Sequence, residues 1–383
     1  MSMRDSTAND LRIAAPPASL TAAMRAVAVP FVVTRFGVLV VGLAAAAFIG
    51  YTPHAGEPST WQVAADPARN LLARWDTFWY LDIATRGYQW NGNPLEQQNV
   101  VFFPLLPVLM RVVGAAIGGH PLVAGLVVSL AAFLPALCYF WRWTADRAGA
   151  EVATGAVWLI STFPSALFFS AVYTESLYLL TVAGACYYVE RRLYWRAATI
   201  GLFAGFVRPN GLLLSIPIIV IAIVANRARR HRLSRTAAAM TPALGMLIFS
   251  AYLASRVGDA TAWLANQAAW PNNFGISPPE LPHAPINLWW IPNALPLALV
   301  LIALAPLTTL LGPAYGLFVV GNIVFPLLRH GFLSMGRFCS VMFPVFAWLA
   351  MRVRGRARTR LIVGFALGQA ILAALFFTWH PVV

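Results

Sequence analysis

Carboxylates and arginines supply most of the chemistry this sequence has to offer. The run Arg74-Trp75-Asp76-Thr77-Phe78-Trp79-Tyr80-Leu81-Asp82, continuing to Arg86, Gly87 and Tyr88, reads as a short amphipathic helix that Gly87 terminates. Six residues of helix turn through about 600°, so Asp76 and Asp82 project roughly 120° apart and cannot share one site as a close pair. Asp82 has Arg86 four positions on, a favourable helical ion pair that gives it a structural role; as a substrate ligand it is the lesser candidate. Asp76 has no arginine three or four positions away, and it lies near Trp79 and Tyr80, where burial against a membrane suits a carboxylate to general-base work. A helix N-cap is the competing assignment for Asp76.

Glu175 is an acid between two apolar runs, costly beside a membrane unless paired, wet or functional, and Arg208 is a plausible partner. Arg208-Pro209-Asn210-Gly211 interrupts an apolar stretch from Trp195 to Ala225. Proline and glycine break the helix there, and arginine offers a fork for phosphate; a snorkelling arginine at a turn is the plainer alternative. The same choice applies to Arg329 and Arg337, and His330 beside Arg329 is the histidine to watch. Phe102-Phe103-Pro104-Leu105-Leu106-Pro107 suits a kinked interfacial segment bordering a lipid-substrate groove. There is no Walker loop, no His-Glu-x-x-His, no Gly-x-Ser-x-Gly and no His/Cys cluster with metal spacing, which disfavours ATPases and common hydrolases and predicts no metal site.

The elements that must position these groups follow from composition. Of 383 residues, 60% are hydrophobic and 10% charged, against about 25% charged in a soluble domain, and the apolar residues come in long blocks from end to end. The chain reads as one all-α, polytopic integral membrane domain over 1–383, with about eleven transmembrane helices, one of them at Val152 to Ser170, and three cysteines that read as buried packing residues. Val27 to Gly50 is too long for a signal-peptide core and reads as a retained anchor. The net charge of +14 is carried by 27 basic residues, all arginine, which points to a GC-rich, prokaryotic genome. Most sit in clusters flanking apolar segments, the distribution that fixes membrane orientation rather than nucleic-acid binding.

Those clusters choose the topology. If Val101 to Arg111 lies at the outer interface instead of crossing, eighteen arginines fall inside, with 1–25 as a cytoplasmic segment. Two long outer loops then result, 51–118 with interfacial helices and 256–290, and Glu175, Arg208 and the Arg329 to Arg337 stretch lie at the same outer side.

Trp75-Asp76, the Phe102 to Pro107 run, Thr174-Glu175-Ser176-Leu177, Arg208-Pro209-Asn210-Gly211 and Ser334-Met335-Gly336-Arg337-Phe338, in this order, resemble the PIG-V family of mannosyltransferases. Gly336 departs from the proline expected before the arginine. The resemblance implies a GT-C-type bundle and an inverting enzyme that uses polyprenyl-phosphate mannose as donor and a lipid-linked or glycolipid acceptor, with no nucleotide-binding fold. It implies that Asp76 is the first-loop catalytic aspartate; Trp75, Asp82, Glu175, Arg208, Asn210, His330 and Arg337 are the substrate-binding candidates among the residues read above. The bilayer, donor and acceptor are then the partners, and a prokaryotic cell membrane, with the site facing outward, is the location. A GT-C transferase for another lipid-linked sugar and a lipid or sugar transporter are the rival readings.

Overall fold

The computed structural model describes residues 18–50, 70–224, 232–270, 290–332 and 334–380. In chain order the helices are α1 (Leu20–Phe48), α2 (Thr77–Arg86), α3 (Leu105–Ala116), α4 (Pro121–Ala148), α5 (Ala150–Thr162), α6 (Glu175–Glu190), α7 (Tyr194–Val207), α8 (Ser215–Val224), α9 (Arg232–Val257), α10 (Ala262–Ala265), α11 (Ile291–Leu311), α12 (Pro313–His330), α13 (Met335–Ser340), α14 (Phe343–Arg352) and α15 (Gly355–Phe377). The regular elements are helical, as the composition requires.

Among the described residues five helices, α1, α4, α9, α11 and α15, are long and apolar enough to cross a membrane. A sixth crossing results if α5 and the 3-10 helix Pro164–Ser170, bent by 82° at their junction, are one broken span. That is fewer than the eleven full spans expected, for a geometric reason. Hydropathy counts apolar residues whether or not they share one axis, whereas α7, with 14 residues, is only about 21 Å long against a hydrocarbon core of about 30 Å. The 12-residue α3 is likewise short. Of the segment 51–118, expected as the first outer loop, the described part holds α2 and α3; 51–69 lie outside the described residues, as do 1–17 and 271–289. Ser19 caps α1 by accepting the Ala22 amide at 3.0 Å.

The break after α5 is satisfied from two neighbouring helices. Arg35, 2% exposed midway along α1, donates to the carbonyls of Ser161 at 2.6 Å and Ala166 at 2.5 Å and to Ser170 Oγ at 3.1 Å. Gln369 of α15 donates to the carbonyls of Ser161 and Phe163 at 3.0 and 3.1 Å. Irregular backbone inside an apolar bundle persists only with such partners.

The bundle has two unlike ends. At one, the start of α1 meets the end of α4, where Arg142 Nε donates to the Ala18 carbonyl at 2.8 Å and Arg191 pairs with Asp146 at 2.5 Å. Arg147 pairs there with Glu190, and Arg358 with Glu151 at 2.6 Å. At the other end gather α2, the start of α6, the end of α7, α13 and the end of α15.

Candidate active site

Asp76 occupies the N-cap position of α2, as one sequence reading had it, yet its side chain makes no capping bond. The carboxylate turns instead to α13, where Arg337 Nη1 donates to Oδ2 at 2.6 Å. The Asp76 backbone N–H donates to the hydroxyl of Tyr173 at 3.2 Å. Asp76 is thus joined to another helix by its side chain and to the turn before α6 by its backbone.

Glu175 begins α6 and is fully buried. Its Oε1 accepts from Arg208 Nη2 at 2.7 Å and lies 3.2 Å from Arg337 Nε. Arg208 Nη2 also donates to Thr174 Oγ1 at 2.5 Å, and the Arg208 guanidinium stands 5.0 Å from the Tyr178 ring centre. A charged chain runs Asp76, Arg337, Glu175, Arg208, with two acids balancing two cations. The positive end of the α6 dipole adds to the stabilisation of Glu175.

Local sequence explains the placement. The Arg208-Pro209-Asn210-Gly211 break starts a 3-10 turn, Pro209–Leu214, and a Cβ at Gly211 would stand 1.9 Å from the Ala204 carbonyl oxygen. Only glycine lets the chain double back there, which leaves Arg208 at the end of α7. At Gly336 a Cβ would meet the Pro292 carbonyl at 2.3 Å, and its N–H donates to Asn293 Oδ1 at 3.0 Å. Proline could do neither, so the departure from the family pattern fits the packing of α13 on α11.

Burial and the paired acids set the electrostatics. Burial opposes the charge of Arg337, but Asp76 and Glu175 outweigh it and hold the guanidinium above the usual arginine range. Tyr80 is pushed up by burial and then by Asp76 and Glu175, and Tyr173 by burial and then Asp76, so both phenols stay protonated. Glu175 Oε2, Arg208 Nη1 and Thr77 Oγ1 are buried without hydrogen-bond partners among the described residues.

The structure brings together Asp76, Glu175, Arg208 and Arg337 from the sequence-derived set. Trp75 adjoins them and packs on Trp379, ring centres 5.3 Å apart. Asn210 contributes its carbonyl, 3.2 Å from the Tyr178 hydroxyl. Asp82 is engaged elsewhere, by Arg86 as its spacing predicts and by Asn99 Nδ2 at 2.6 Å. His330 closes α12, and its side chain lies outside the described residues. Sequence reasoning passed over Tyr80, Tyr173 and Thr174 as site residues; the signals were the nearness of Tyr80 to Asp76 and the adjacency of Tyr173 and Thr174 to Glu175. Among the described residues no group of three or more His, Cys, Asp or Glu side chains is arranged to hold a metal.

A family model described as mannosyltransferase (PIG-V) matches residues 51–253, more than half of the chain. Curated proteins yield no match. A solved structure, the apo form of an Archaeoglobus fulgidus oligosaccharyltransferase, is similar with a TM-score of 0.44 and 12% identity, covering 91% of this chain and 56% of that one. The present chain therefore spans little more than half the length of that neighbour.

Proposed function

The chain belongs to the mannosyltransferase (PIG-V) family and is a multi-pass membrane glycosyltransferase, and from that premise we propose that it moves mannose from polyprenyl-phosphate mannose to a hydroxyl of a glycolipid or lipid-linked glycan, with Asp76 as general base. The acceptor oxygen attacks the anomeric carbon as its proton passes to Asp76, and the bond from that carbon to the phosphate oxygen breaks. A β-linked donor then gives an α-mannoside by inversion. The site faces the outside of a prokaryotic cell membrane, with the arginine-rich end of the bundle in the cytoplasm.

The observation that carries this reading is the Asp76, Arg337, Glu175, Arg208 chain. A base that takes the acceptor proton must stand near a cation that takes the charge of the departing phosphate, and Arg337 meets Asp76 at 2.6 Å. When donor phosphate engages Arg337, the Asp76 carboxylate is released to the acceptor hydroxyl. Glu175 keeps both guanidiniums in place meanwhile, and the unpartnered Arg208 Nη1 adds a donor for phosphate. Trp75 precedes the base in the chain, and Tyr80 follows one helical turn on, its N–H donating to the Asp76 carbonyl at 3.4 Å. No resident cofactor enters this scheme; the lipid-phosphate sugar is substrate.

The test is mannose transfer from polyprenyl-phosphate mannose to cell-lipid extract by purified wild type and Asp76→Asn, with melting temperatures for both. The variant should lose about 10²–10⁴-fold in rate while melting like wild type. Equal rates would remove Asp76 as base.

A further inference from the structure

Asp76 makes no side-chain cap with its own helix, so its place depends on what holds Arg74 and Trp75, the two residues before it. Arg74 is 1% exposed. Its Nε donates to the Phe377 carbonyl at 3.0 Å, its Nη1 donates to the Ala73 carbonyl at 2.9 Å and to that of Asn70, and its guanidinium stands 5.0 Å from the Trp379 ring centre. Trp75 packs on the same indole. One tryptophan therefore bears on both residues that precede the catalytic aspartate.

Trp75 and Trp379 also share a rare backbone state, with φ of 50° and 66°. Bulky residues take up left-handed backbone only where their surroundings enforce it, and such residues cluster at functional sites. The turn carrying Trp379 is folded back on α15, with the His380 N–H donating to the Leu375 carbonyl at 2.9 Å and Thr378 Oγ1 to that of Ala374 at 2.7 Å. One turn earlier, Phe376 packs against Tyr173, ring centres 5.9 Å apart, and Tyr173 accepts the Asp76 amide hydrogen. The end of α15 thus reaches Asp76 by two routes, through Arg74-Trp75 and through Tyr173.

We propose that Trp379 is a positioning residue for the reaction: its indole, packed under the Arg74 guanidinium and against the tilted Trp75 ring, fixes the left-handed turn that delivers the Asp76 carboxylate to Arg337 and the acceptor. This rests on the general-base reading of Asp76. A rigid indole suits the task because displacement of a reacting group by about 1 Å costs about 100-fold in rate.

The experiment compares Trp379→Ala, Trp379→Leu and Trp379→Phe with wild type in the mannose-transfer assay, with kcat, donor KM and melting temperature for each. Trp379→Leu retains apolar bulk without a ring, so a readout survives if Trp379→Ala fails to fold. The Leu variant, and Ala where folded, should lose about 10–100-fold in kcat with donor KM within about twofold, and Phe should recover most of the rate. A kcat near wild type in the Leu variant, a loss confined to KM, or a loss that tracks the folded fraction would overturn the proposal. Asp76→Asn runs alongside: if it is active, the base reading itself falls, whereas an inactive Asp76→Asn beside a fully active Trp379→Leu removes this proposal alone.

Discussion

At the residue scale, the decisive fact is a fully buried Glu175 that keeps its charge company. Its Oε1 is shared by two arginines, and breaking a buried pair by removing one partner costs about 3–5 kcal/mol because the remaining charge is left uncompensated. Glu175→Gln leaves Arg208 and Arg337 without their common anion, so it should lower the melting temperature markedly and reduce transfer as well, read by thermal unfolding in detergent. Asp76→Asn differs, since its carboxylate is a quarter exposed and solvent softens the loss; activity should fall without a comparable loss of stability. The Glu175 to Arg208 contact was legible in the sequence, because both residues interrupt apolar runs on the same side of the bundle. The Arg337 to Asp76 contact was not, since it joins positions 261 apart and no periodicity spans that separation. The N-cap reading of Asp76 was right about position and wrong about bonding, because Arg337 offers a charged partner where the cap offers only a backbone N–H. Gly336→Pro tests the packing of α13: it should be destabilised well beyond an ordinary surface change, having lost the bond to Asn293 and met the Pro292 carbonyl.

At the element scale, the sequence was most readable where a helix declares its own end. Gly87 stops α2 with φ of 85°, as the sequence reading had it; Gly149 and Gly312, which that reading did not single out, separate α4 from α5 and α11 from α12 with φ of 85° and 96°. It was least readable where an apolar run changes direction without changing composition. Val152 to Ser170 reads as one span, but Phe163-Pro164 turns it by 82° into a 3-10 segment whose residues are as apolar as those before them. What marks the break is remote: Arg35 and Gln369 supply the donors that the interrupted helix lacks. Each buried carbonyl left unpaired costs about 1–3 kcal/mol. Gln369→Leu should therefore destabilise the protein by about that amount, and Arg35→Leu by more, because it strips donors from Ser161, Ala166 and Ser170 together. Both are read as a fall in melting temperature. Equal stability of Arg35→Leu and wild type would mean that water or lipid satisfies the break.

At the scale of the whole molecule, the two ends of the bundle carry different charged groups. Arg142, Arg147, Arg191 and Arg358 lie at the end where α1 starts, whereas Asp76, Glu175, Arg208 and Arg337 gather at the opposite end. A transporter would place its working charges near the middle of the membrane, so the depth of this cluster separates the two readings. The orientation remains to be read directly, and the chain offers a clean way to do so. Its three cysteines, Cys138, Cys186 and Cys339, are buried, so an engineered thiol stands out against a low background. Gln97→Cys places one on an exposed part of the first loop, and Arg356→Cys places one at the exposed start of α15. With a membrane-impermeant maleimide, Gln97→Cys should label in intact cells and Arg356→Cys only after permeabilisation. The reverse pattern would put the carboxylate and arginine chain on the cytoplasmic side, against the arginine distribution, and would call for a donor presented to that face.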